Sequence, residues 1–196
     1  MAADVTVIGG GFAGCEAAWA AANRGARVRL YEMRPVNQTP AHVTDYLAEL
    51  VCSNSFKSLN PDSPAGQLKT EMEALGSLMI PTAKKHAVPG GEALAVDRNL
   101  FAAEMTALIE GHPNIEVVRE EWGGELDGTG VLILATGPLT SVGLSEKIKA
   151  FAEAEHLHFF DAVAPTLEAS SIDRDIVWEQ SRYDKGEAAY LNCPFD

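Results

Sequence analysis

Two groups of residues in this 196-residue chain have the types and spacing for chemistry. The first is Gly9-Gly10-Gly11-Phe12-Ala13-Gly14, a G-x-G-x-x-G run, with Glu32 lying 32 − 14 = 18 positions beyond its last glycine. Gly9 permits a tight turn, Gly11 lets the backbone approach a pyrophosphate, and Gly14 lets a helix pack close to a sheet. The N–H groups and dipole at the start of that helix favour phosphate. A carboxylate at Glu32 can accept hydrogen bonds from ribose hydroxyls, and it disfavours a 2′-phosphate, so NADP is not the expected ligand of this turn. The second group is a thiol, Cys52, in the polar stretch Cys52-Ser53-Asn54-Ser55. A thiol there can serve as a nucleophile or a base, or it can be the buried structural group that free cysteines usually are. The residues by themselves leave these readings even.

The elements around the glycines are those the chemistry requires. Asp4 to Ile8 reads as a short buried strand of the parallel-sheet type. An alanine-rich helix follows over Cys15 to Asn23, and Arg27 to Tyr31 forms a second strand ending at Glu32. Further on, Val131 to Leu134 is an apolar strand running into Ala135-Thr136-Gly137. By itself it is a buried strand with a glycine turn, but it resembles the returning strand of two-dinucleotide-domain flavoproteins and, together with the N-terminal glycine turn, favours FAD over NAD. Between them, helical patterns are expected over Thr44 to Leu50, over Pro64 to Leu75 with Leu68, Met72 and Leu75 in register, and over Leu139 to Ala154. Asp97 suits an N-cap for a helix to Glu110 with Phe101, Met105 and Leu108 on one face. Ile115 to Arg119 and His156 to Phe160 read as strands, and Pro89-Gly90-Gly91 as a turn.

Composition bounds the function classes. The chain is 46% hydrophobic and 22% charged, an ordinary globular balance without low-complexity tracts. Its apolar runs are too short to span a bilayer, and the N-terminus lacks a basic leader, so no membrane association and a cytoplasmic home are expected. Three cysteines at unrelated spacings (Cys15, Cys52 and Cys193) form neither a disulfide framework nor a zinc cluster. The net charge of −13 counts against a nucleic-acid partner if taken alone, because phosphate is bound through Lys and Arg.

A resemblance to a known family rests on several stretches in order along the chain. They include Tyr31-Glu32-Met33-Arg34-Pro35, Gln38-Thr39-Pro40-Ala41-His42, Leu50-Val51-Cys52-Ser53-Asn54-Ser55 and Ala93-Leu94-Ala95-Val96-Asp97-Arg98. Ala135-Thr136-Gly137-Pro138-Leu139-Thr140-Ser141 and the run from Ser181 to Pro194 extend it. Together they resemble the N-terminal part of the folate- and FAD-dependent tRNA uracil-C5 methyltransferases. The resemblance implies an α/β, Rossmann-like FAD-binding domain over residues 1–180. The start of a second, smaller inserted domain follows over 181–196, and the rest of both lies in a longer chain. It implies FAD as cofactor, methylenetetrahydrofolate as one-carbon donor, NAD(P)H as reductant and the T-loop uridine of tRNA as substrate. The cofactor contacts fall on Gly9, Gly10, Gly11, Phe12, Ala13, Gly14, Glu32, Arg34, Thr136 and Gly137. The resemblance also favours a catalytic role for Cys52, as nucleophile toward uracil C6 or as base at C5. It leaves the oligomeric state unknown and implies that this part alone does not catalyse the whole reaction.

Other candidates carry less. Cys15 and Cys193 read as structural, and His42 as a solvated loop residue in preference to a folate or RNA contact. His156 and His158 lack the carboxylate or thiol company of a metal site. Lys84, Lys85, Arg182 and Lys185 are phosphate contacts or plain wet surface. A flavin-dependent wobble-uridine carboxymethylaminomethyl enzyme shares the opening Gly9 to Ala18. It would carry Cys-Asn-Pro-Ala-Ile-Gly-Gly where this chain has Val51 to Ser58. A non-catalytic FAD-binding module and a simple FAD hydroxylase or dehydrogenase are the remaining alternatives.

Overall fold

A computed structural model describes residues 3–126, 130–153, 167–181, 187–188 and 190–194. In chain order the elements begin with β1 (Val5–Ile8), α1 (Phe12–Ala22), β2 (Val28–Tyr31) and β3 (Ser55–Ser58). Then come α2 (Pro64–Ala74), α3 (Met79–Lys85), β4 (Ala87–Val88), β5 (Ala93–Val96) and α4 (Arg98–Glu110). The series ends with β6 (Ile115–Val118), β7 (Val131–Leu134), α5 (Val142–Phe151), β8 (Trp178–Gln180) and β9 (Tyr190–Asn192).

Four strands form a parallel sheet in the order β6-β2-β1-β7. Val5 of β1 is in register with Val28 on one side and Val131 on the other. The expected return of the Val131 strand beside the first is therefore realised. α1 and α4 pack against each other and against this sheet, burying Val7, Leu30, Phe101, Met105 and Ile109 completely between them. Alanines and Cys15 on the inner face of α1 let it lie close to the strands. α4 begins where Asp97 accepts hydrogen bonds from the amides of Asn99 and Leu100, at 3.0 Å each. That is the N-cap its position suggests.

A second sheet, β3-β5-β4, is antiparallel and carries a bulge between Ser55 and Ser58. Neither it nor α3 is apparent in the sequence pattern, since β3 exists only by pairing with a strand far along the chain. Phe12, Phe56 and Phe101 form an aromatic cluster with ring centroids 5.4 to 6.0 Å apart. It holds β3 against the start of α1 and against α4. The helix expected over Thr44 to Leu50 is instead an irregular loop, because its backbone donors go to distant partners. Leu47 N–H donates to Thr106 Oγ1 at 2.8 Å and Ala48 N–H to Gly10 O at 2.8 Å. α2 also departs from its apolar pattern: Leu68 and Leu75 are exposed, and the buried residues are Gly66 and Lys69. Lys69 is held there by the carbonyls of Ser58 and Ala65. The hairpin β8–β9 pairs Trp178 with Asn192 across residue 181. The expected strand at His156 to Phe160, with His156, His158, Arg182 and Lys185, lies outside the described residues. Among those described, no helix is long and apolar enough to cross a membrane.

Candidate functional site

At the C-terminal ends of β1, β2 and β7 a cleft of about 450 Å³ opens. This is where ligands sit in open parallel sheets. The glycine turn Gly9 to Ala13 forms one wall, Glu32 and Arg34 the floor, and Ala135 to Ser141 the opposite wall. The segment from Glu49 to Phe56, including Cys52, completes it. Of the sequence-predicted contacts, Gly9, Gly10, Gly11, Phe12, Ala13, Glu32, Arg34, Thr136 and Gly137 all border this space, as does Cys52. Gly14 does not.

The glycines divide into two kinds by what surrounds them. A Cβ at Gly14 would stand 1.8 Å from the oxygen of Gly9, and one at Gly9 would stand 2.6 Å from the oxygen of Ala135. These two hold turn, helix and β7 segment in contact. A Cβ at Gly11 meets nothing within 4 Å, so it would project into the open cleft. Gly11 is also the N-cap of α1, and no side chain caps that helix. Its first N–H groups therefore have no partner within the helix, and Phe12 and Ala13, which bear two of them, line the cleft.

Glu32 is 6% exposed. Its Oε2 accepts from Gly10 N–H at 2.9 Å and its Oε1 from Arg34 N–H at 3.1 Å and Nε at 2.9 Å. Burial works against its ionisation, but the hydrogen bonds and charge of Arg34, with Gly10, outweigh it and hold the carboxyl below the usual range. Arg34 is 1% exposed and its guanidinium also reaches Glu49 Oε2 at 2.8 Å. At the floor of the cleft it supports Glu32 from beneath. On the far wall, the hydroxyls of Thr136 and Thr140 lie 2.6 Å apart, and Thr140 Oγ1 donates to Gly137 O at 2.8 Å.

The three cysteines separate clearly. Cys15 is fully buried behind the turn, where burial, with Glu32 and Glu16 nearby, pushes its thiol up to about 12. Its Sγ lies 3.4 Å from Gly10 O. Cys52 is exposed at the cleft, and Cys193, expected to be structural, is exposed as well. His42 also borders the cleft, its Nδ1 2.5 Å from Thr39 Oγ1. Lys84 pairs with Glu73 and Lys85 with Glu104, so these lysines act as neutralised surface. Among the described residues, no group of three or more His, Cys, Asp or Glu could hold a metal. Sequence reasoning overlooked Glu49 and Phe56. The signal for Glu49 was its place just upstream of Cys52, and for Phe56 there was none before its ring partners were known.

The chain is 57% identical over 97% of its length to the methylenetetrahydrofolate–tRNA-(uracil-5-)-methyltransferase TrmFO of Shouchella clausii, covering 43% of that protein. It is 56% identical over 99% of its length to the TrmFO of Lactobacillus johnsonii, covering 44% of it. It thus spans less than half the length of these relatives. The form I crystal structure of GidA from Aquifex aeolicus aligns over 70% of this chain and 26% of its own, with a TM-score of 0.56 at 20% identity. That likeness speaks to the Rossmann-like fold. Residues 4–196 match the family described as glucose inhibited division protein A, and the chain belongs to that family.

Proposed function

We propose that this chain is the dinucleotide-binding part of an enzyme that methylates C5 of the T-loop uridine of tRNA, using FAD and methylenetetrahydrofolate. The observation that carries the reading is the meeting of the glycine turn, Glu32 and an exposed Cys52 around one cleft. The chain in which they meet is 57% identical to a TrmFO. A bare dinucleotide module needs no exposed thiol at that place, and Val51 to Ser58 lacks the Cys-Asn-Pro-Ala-Ile-Gly-Gly run expected of the wobble-uridine alternative.

The residues fit FAD. Gly9 to Ala13 and the uncapped start of α1 would hold the pyrophosphate and Glu32 a ribose. Arg34 keeps Glu32 ionised and aimed, and Thr136 and Gly137 border the opposite side. When bound, reduced flavin would supply the electrons and relay the one-carbon unit from methylenetetrahydrofolate, with NAD(P)H as reductant. The chain's own part is at Cys52. Uracil C5 is a poor nucleophile until something adds at C6. In one role the Cys52 thiolate bonds to C6 and pushes electrons to the C4 oxygen, so that C5 can attack the one-carbon unit. Loss of the C5 proton then returns the electrons to sulfur and breaks the C6–S bond. In the other role Cys52 takes the C5 proton as a base.

The domain division at residue 181, a cytoplasmic setting that keeps exposed thiols reduced, and tRNA contacts made mainly outside this acidic chain belong to the same reading. The test is direct. The purified chain is mixed with FAD, and any chromophore it retains is released and identified by mass. FAD is expected; no binding at any concentration would refute the nucleotide site. A chimera in which residues 1–196 replace the matching part of the Shouchella clausii protein is then assayed with methylenetetrahydrofolate and unmethylated tRNA. Cys52→Ala in that chimera should abolish methylation and keep the flavin; undiminished turnover would remove Cys52 from the mechanism.

A further inference from the structure

Between the glycine turn and Cys52 runs a buried line of three charges. Arg34 Nε donates to Glu32 Oε1 at 2.9 Å, and Arg34 Nη1 donates to Glu49 Oε2 at 2.8 Å and to Thr44 O at 3.1 Å. The side chains of Arg34 and Glu49 are 1% and 6% exposed. Glu49 also accepts from Val43 N–H at 2.9 Å, and from the N–H and hydroxyl of Thr44 at 3.2 and 2.9 Å. A second tie runs alongside: Ala48 N–H donates to Gly10 O at 2.8 Å, and Gly10 N–H donates to Glu32. Ala48 is fully buried at φ 51, a left-handed conformation that a non-glycine residue keeps only when its surroundings over-determine it. The loop 43–50 is thus fastened to both the glycine turn and the acid at the end of β2, and Cys52 follows directly.

We infer that Glu49 is a positioning residue which, through Arg34, couples occupation of the nucleotide end of the cleft to the placement of Cys52. This rests on the reading of the cleft as a flavin site. A ribose hydroxyl donating to Glu32 Oε2, which now accepts only from Gly10 N–H, would share the carboxylate's charge and weaken the hold of Oε1 on Arg34. Arg34 is 1% exposed and has almost no contact with water, so its fork leans further on Glu49. Glu49 in turn holds the amides of Val43 and Thr44, and a tighter grip there restricts the loop that ends at Cys52. Glutamine at position 49 would still accept a hydrogen bond but would carry no charge for Arg34.

The experiment uses ADP, which supplies the phosphates and one ribose but no flavin ring that could simply cover the thiol. In a Cys193→Ser background, Cys52 is the one exposed cysteine among the described residues. Its rate of alkylation by N-ethylmaleimide is measured with and without saturating ADP, with binding followed by calorimetry. ADP is expected to change the rate about five-fold or more. Adding Glu49→Gln should leave ADP binding measurable while abolishing that change. A full rate change in the Glu49→Gln protein with ADP bound would overturn the inference, as would no change on binding to the Cys193→Ser protein. Failure of both ADP and FAD to bind the Cys193→Ser protein would overturn the flavin reading and this inference with it. If Glu49→Gln does not fold, Thr44→Val removes the hydroxyl that donates to Glu49 and accepts from Tyr46 N–H, and should shrink the ADP effect; an undiminished effect would equally overturn the coupling.

Discussion

Alanine at Gly14 and at Gly11 should fail in opposite ways, although the two positions share a single turn. At Gly14 the new Cβ would lie 1.8 Å from the oxygen of Gly9, far inside the roughly 3.5 Å of an unstrained contact. No flexible side chain can yield, because the obstacle is backbone. α1 must back away from the turn, and its inner face carries Cys15 and Ala18, both fully buried. Overpacking of this kind costs typically 1–3 kcal/mol, and a backbone obstacle places it at about 3. For a chain of this size that lowers the melting temperature by roughly 6–12 °C. At Gly11 the Cβ meets nothing, and φ −74 with ψ −171 suits any residue. The N-cap preference for glycine over alanine is worth about 1 kcal/mol against the change. The smaller entropy of the unfolded chain returns roughly 0.4–1. The two nearly cancel, so Gly11→Ala should melt within about 2 °C of the wild type. Its methyl nevertheless occupies the place where a pyrophosphate would approach, and affinity for FAD or ADP should fall at least about tenfold, equal to 1.4 kcal/mol. Thermal melts of the free proteins and calorimetric titrations with ADP separate the two outcomes. Wild-type affinity in Gly11→Ala would refute the assignment of that open space to the ligand, and a wild-type melt for Gly14→Ala would refute the close contact of helix and turn.

Replacing Arg34 with Met strands two buried carboxylates and should destabilise the chain by about 3–5 kcal/mol; a melt shifted by less than a degree would contradict the buried pairing seen at Glu32 and Glu49. Titration with a thiol reagent near pH 8 should modify Cys52 and Cys193 quickly, while Cys15, with its thiol pushed up to about 12, reacts only after denaturation; rapid reaction of all three would show that the first helix does not pack as described. Asp4 is held down to about 2 by its hydrogen bonds to Arg27, against 3.8 for the free group. Because the folded value is the lower one, its stabilising contribution is present above about pH 4 and is lost as pH falls through about 2. Asp4→Asn should therefore melt slightly lower than wild type at pH 7, with the difference shrinking as pH falls through about 2, and an equal difference at both pH values would exclude the ion pair as its source.

The chain's local code and its tertiary structure decided different things. The strand, glycine turn, helix, strand and Glu32 could be read within one contiguous stretch, because each glycine answers a backbone demand set by its immediate neighbours. The same holds for Asp97, whose carboxylate caps amides two and three residues on. The choice of Cys52 also came from sequence, through the resemblance around Leu50 to Ser55. The return of the Val131 strand beside β1 was legible through a resemblance, but most of what depends on distant partners stayed hidden. The loop 43–50 has the composition of a helix, but its amides bond to Gly10 in the glycine turn and to Thr106 on α4, partners that only the folded chain brings near. β3 needs β5, and Phe56 needs the rings of Phe12 and Phe101. α2 turns Lys69 inward and leaves Leu68 and Leu75 exposed, against its apolar periodicity, because two carbonyls satisfy the buried ammonium. Arg34 was legible as part of the site, but its role was not. Only the fold brings Glu49 within 2.8 Å of it and so makes this cleft-lining residue also a buried link between the nucleotide turn and the loop bearing Cys52. Short-range steric and hydrogen-bond demands are written in neighbouring residues, whereas the pairing of buried charges is settled by which distant segments the packed core brings together.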